Sequence, residues 1–98
     1  MVLEIAIFKL VDGTDADTFL QEHAKFHTDW VVTQPGFVKR VTTCGDDDVW
    51  TDVLTWESLD AAKTAMETIG GIEEGKTWMS MMDEASIKMY HGEIKFES

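Results

Sequence analysis

Hydrophobic positions recur with two different periods along this chain, and the points where the period changes divide it into elements. In Met1–Leu10, Leu3, Ile5 and Ile7 fall on one parity and Val2, Ala6, Phe8 and Leu10 on the other, so a strand here is apolar on both faces. Asp12-Gly13-Thr14-Asp15 combines turn and cap residues, and the spacing that follows predicts a helix from about Ala16 to Val32. Pro35-Gly36 stops that helix and turns the chain. Two β-rich runs, Phe37–Cys44 and Val49–Trp56, flank Gly45-Asp46-Asp47-Asp48, the pattern of an antiparallel hairpin with a short loop. Ser58 is the N-cap of a second helix in which Leu59, Ala62, Met66 and Ile69 recur at helical spacing until Gly70-Gly71. A shorter helical piece over Ile72–Met82 and a closing strand from about Ser86 to Phe96 complete the chain.

The order is βαββαβ, which predicts one ferredoxin-like α+β domain spanning 1–98: a four-stranded antiparallel sheet with two helices on one face. The first strand then decides what covers the other face. An antiparallel sheet with one wet face alternates apolar and polar residues, and this strand does not. A second copy of the same sheet is the economical cover, so a homodimer is expected.

Composition narrows the partners. The 98 residues are 44% hydrophobic, enough for one modest core. No apolar run reaches the roughly 18 residues of a membrane span, and Glu4 and Lys9 interrupt the N-terminal stretch, so a soluble, unexported protein with no membrane partner is expected. Cys44 is the single cysteine, which excludes an intrachain disulfide and fits the reducing cytoplasm. Nineteen acidic against eight basic residues give a net charge of −11, which repels phosphate backbones and excludes nucleic acid as a partner.

Three short motifs carry a resemblance: the first strand ending in Asp12-Gly13-Thr14, the Pro35-Gly36-Phe37 entry to the second strand, and Leu54-Thr55-Trp56-Glu57-Ser58. Together they resemble the antibiotic-biosynthesis-monooxygenase-like proteins of the dimeric α/β-barrel superfamily. The resemblance implies a homodimer with one pocket per subunit between the sheet and its helices. It implies oxidation of aromatic polyketides without metal or flavin, or oxygen-dependent degradation of haem. It also implies that Trp56 lines the pocket. This chain departs from the family twice. The position of an active-site asparagine on the first strand falls near Ala6, and no histidine stands in Ile72–Met82, where haem degraders carry an iron ligand. Haem degradation is therefore disfavoured and no cofactor is expected.

Candidate chemistry concentrates on the first helix. At about 100° per residue, Phe19, His23, Phe26, His27 and Trp30 share one arc, with Leu20 and Val31 close by, while Gln21, Glu22, Lys25 and Asp29 lie opposite. Both histidines are thus expected to face the sheet. Their spacing suits a divalent metal only with a third ligand, for which His91 is available; a metal-free role as general base or hydrogen-bond donor is preferred. His23, His27 and His91 are the catalytic candidates, and Trp30, Trp56, Phe26 and Trp78 the expected walls for a small apolar or aromatic molecule. Trp50, Asp52, Leu54 and Trp56 share one face of the third strand, and a carboxylate between tryptophans requires a partner, for which Arg40 is the neighbour. Asp46-Asp47-Asp48 lacks the spacing of a calcium loop and reads as a solvated turn. The function expected is oxidation of a phenolic or quinol substrate; the alternative is a non-catalytic ligand-binding or dimeric assembly module.

Overall fold

A computed structural model describes residues 1–98. Its elements are β1 (Val2–Phe8), α1 (Ala16–Asp29), β2 (Phe37–Cys44), β3 (Trp50–Trp56), α2 (Leu59–Ile69), α3 (Glu73–Ser80) and β4 (Lys88–Glu93). The strands form one antiparallel sheet in the order β2-β3-β1-β4, the ferredoxin-like arrangement. No helix is long and apolar enough to cross a membrane.

Local chemistry sets the boundaries. The Asp15 carboxylate accepts the Thr18 amide at the start of α1, and the Ser58 hydroxyl accepts the Ala61 amide at the start of α2. Gly36 needs to be glycine twice over: its φ is +85°, and a Cβ would stand 2.7 Å from that of Ala61. The β2–β3 loop closes through the Asp48 amide to the Gly45 carbonyl, with the Asp47 carboxylate accepting the Val49 amide.

Three elements are shorter than the sequence predicts by three residues or more, and the third helix runs Glu73–Ser80, not Ile72–Met82, with Ile72 and Met81 as its caps. The first helix ends at Asp29, not Val32; Val31–Thr33 tighten into a 3₁₀ turn. Three consecutive β-branched residues resist helix, and the turn drives Val31 into the core. The closing strand covers Lys88–Glu93 and not Ser86–Phe96. Ser86 belongs to a 3₁₀ turn and its hydroxyl accepts the Lys9 amide at 2.8 Å, while Phe96 is 87% exposed. Strand β1 pairs with β4 from Val2 to Ile7, and beyond that only the Ile94 amide reaches back, to the Met1 carbonyl at 2.9 Å.

The helix-facing side of the sheet carries the core, in which Phe8, Trp50, Leu54 and Trp56 pack against Phe19, Phe26, Ala62, Ala65 and Trp78. The opposite side carries a cross-strand apolar row, Val41–Val53–Ile5–Tyr90, with Tyr90 64% exposed. Strand β1 is therefore apolar outward, as its pattern predicts. Inward, however, Val2 and Phe8 share their face with a buried carboxylate, Glu4.

Candidate functional site

Three buried polar side chains interrupt the core: Glu4 of β1, Asp52 of β3 and His23 of α1. Isolated, each would cost several kcal/mol, roughly 2–7 for a neutral polar group and more for a charge, so their partners define the local chemistry.

Asp52 is 2% exposed and fully engaged. Arg40 on β2 donates to it through Nε (2.9 Å) and Nη2 (2.6 Å), a two-point pairing that matches guanidinium to carboxylate. The Thr42 hydroxyl donates to Oδ1 at 3.1 Å. This is the partner the third-strand pattern requires. His23 extends the network. An indole N–H can only donate, so Trp78 Nε1, 2.9 Å away, makes His23 Nδ1 the acceptor and puts the ring proton on Nε2. Nε2–H then donates to Thr42 Oγ1 at 2.8 Å, completing a chain from Trp78 through His23 and Thr42 to Asp52. Burial first, and then the Arg40 guanidinium, pull the His23 pKa down to about 4, so its ring is neutral at pH 7.

Glu4 is engaged at one point only. His91 Nε2 on β4 donates to its Oε1 at 2.9 Å. Burial raises the Glu4 pKa above the usual carboxyl value, against the pull of His91.

Above these carboxylates lies a narrow cleft between the sheet, α1, α2 and α3, with about 40 Å³ of free space. Phe26, Trp30, Trp56 and Trp78 line it together with Glu4, Arg40 and Asp52. Trp30, Phe26 and Trp78 form a run of stacked rings, with centroids 5.3 and 5.0 Å apart, and the Arg40 guanidinium sits 5.5 Å from the Trp78 ring centre. The Trp56 ring lines the same cleft, and its buried Nε1–H has no hydrogen-bond acceptor.

All four expected wall residues therefore meet in one cleft. The three histidines do not converge. His23 is sealed behind Trp78 at 6% exposure, and His27 is half-buried against Phe37 with Nδ1 3.4 Å from Arg40 Nη1. His91 stands behind Glu4. Burial and Arg40 lower the His27 pKa as well. Leu20, expected near the inward arc, is exposed. No cluster of histidine, cysteine and acidic residues has the arrangement of a metal site, Asp46-Asp47-Asp48 included. The residue that sequence reasoning missed is Glu4; its place on the inward parity of β1, between Val2 and Ala6, was the available signal.

No family model matches the chain. No curated protein matches it in sequence. Solved structures do match. SnoaB, a cofactor-independent oxygenase from Streptomyces nogalater solved as a mutant, superposes with a TM-score of 0.79 over 98% of this chain and 94% of that one, at 15% identity. The chain has the fold of the antibiotic biosynthesis monooxygenases. A protein named simply antibiotic biosynthesis monooxygenase matches with a TM-score of 0.74 over 96% of this chain and 98% of its own, at 9% identity. A mutant of MhuD, solved with two manganese protoporphyrin IX molecules per active site, matches at 0.68 over 100% and 98%, at 14% identity.

Proposed function

We propose that the chain oxidises a small apolar aromatic molecule, phenolic or quinolic, in the cleft between the sheet and α1, without a cofactor. The observation that carries this reading is a cleft walled by stacked aromatic rings and floored by Glu4 and the Arg40–Asp52 pair. Flat apolar rings suit such walls. A phenol that loses its proton there becomes an electron-rich anion able to reduce O2. For a hydroquinone the balance is QH2 + O2 → Q + H2O2, and for a phenol fused to a ring bearing a CH2 it is CH2 + O2 → C=O + H2O, neither with an external reductant.

Proton handling falls to His91, which reaches the cleft through Glu4, while His27 accepts from Arg40 and orients the guanidinium that lines the cleft. His23 holds Trp78 in the wall. The uncovered row on the outer sheet face is the surface on which we expect a second copy to pair, and light scattering at micromolar concentration should give the mass of a dimer. Oxygen uptake with a panel of hydroquinones tests the chemistry; turnover should fall when His27→Ala is introduced.

One observation favours a second reading. With about 40 Å³ free, the cleft holds a water or two as it stands, and its walls must move before a ring can enter. If no panel member is consumed, the chain is a non-catalytic binding or assembly module whose pocket its own side chains fill.

A further inference from the structure

Glu4 and Asp52 differ in how much of each carboxylate is spent. Asp52 accepts three hydrogen bonds, from Arg40 twice and from Thr42. Glu4 accepts one, at Oε1. Trp56 Nε1 is the one fully shielded side-chain polar atom without a partner; Glu4 Oε2 also has none, so it keeps some accessible surface although Glu4 as a whole is buried. Since Glu4 lines the cleft, that oxygen is a free acceptor in a site otherwise walled by rings. The cleft's single cation, Arg40, is already committed to Asp52. A carboxylated ligand would meet two acids and no free positive charge.

We propose that Glu4 Oε2 is the acceptor that recognises a ligand hydroxyl, with His91 as the residue that positions it, so that the site selects neutral hydroxyaromatics over their ethers and carboxylates. The inference rests on the cleft being a ligand site, as proposed above. A charge-assisted hydrogen bond to a buried carboxylate discriminates strongly, because a ligand lacking the proton leaves the carboxylate facing an oxygen lone pair. The groups that set Glu4's charge come from every neighbouring strand: His91 on β4, Asp52 on β3 and Arg40 on β2. The helices bring only apolar and aromatic side chains to the cleft.

The test titrates the full chain with 1-naphthol and with 1-methoxynaphthalene, following tryptophan fluorescence, which reports on a cleft lined by Trp30, Trp56 and Trp78. Wild type should bind the naphthol about tenfold tighter or more. Glu4→Leu should bring the ratio to about one while still binding the ether, which doubles as the control for an intact cleft. Glu4→Gln, with a neutral acceptor, should fall between. In wild type the preference should fade as acid titrates Glu4. His91→Gln should move that loss to higher pH, since His91 opposes the upward shift; a merely structural His91 would leave the pH midpoint unmoved. An undiminished ratio in Glu4→Leu, with the ether still bound, overturns the role of Glu4 and leaves the cleft standing. If wild type binds neither probe, the cleft reading fails and this inference fails with it.

Discussion

Asp52 and Glu4 sit on adjacent strands, on the same buried face, and both border the same cleft, yet the fold treats them in opposite ways. Asp52 is locked by a guanidinium and a hydroxyl, and through Thr42 and His23 it is tied to the indole of Trp78 on α3. Its bonds join β2, β3, α1 and α3. Glu4 has one partner on the neighbouring strand and a free oxygen. A buried carboxylate with both oxygens bonded is a structural element. One left partly unused is the group from which binding chemistry is built.

The comparison breaks first at Asp52. Asp52→Ala leaves the Arg40 guanidinium buried and uncompensated, and should cost about 3–5 kcal/mol in urea unfolding. Next comes the network's pH dependence. His23 has a folded pKa of about 4 against about 6.5 unfolded. The unfolded chain therefore binds the extra proton between those values, and stability rises with pH across the window. Acidifying from pH 6.5 to 4 should remove about 3 kcal/mol, a loss that His23→Gln abolishes. Thr42→Val, which cuts the link between His23 and Asp52, should cost about 1–3 kcal/mol. The smallest effect belongs to Glu4. Removing its charge along with its partial desolvation should leave the unfolding free energy of Glu4→Leu within about 1 kcal/mol of wild type. Its titration has the opposite sign to that of His23. A raised carboxyl pKa favours the folded state as pH falls, so Glu4→Leu should steepen the acid loss rather than soften it.

The contrast between these residues also explains what the sequence makes legible. Asp52 could be read because it interrupts an alternating run of Trp50, Leu54 and Trp56, and the neighbouring strand offers Arg40 as its partner. The order of elements and the inward arc of α1 follow from periodicity, which depends on neighbours in sequence. Glu4 and His91 are 87 positions apart and meet only because β4 pairs with β1. The same holds for His23 and Trp78, which lie 55 apart and are joined by the approach of α3 to α1. Periodicity gives the direction in which His23 and His27 point. It does not give the depth at which the helix sits, so it cannot separate the sealed ring of His23 from the half-buried ring of His27.

The most direct measurement is a crystal structure of the protein soaked with 1-naphthol. The ring should lie between Trp30 and Trp56 in a widened cleft, with the hydroxyl oxygen about 2.5–3.0 Å from Glu4 Oε2 and the Asp52–Arg40 pair unchanged. A naphthol lodged elsewhere, or one whose hydroxyl turns from Glu4 to displace Arg40 from Asp52, would contradict this placement.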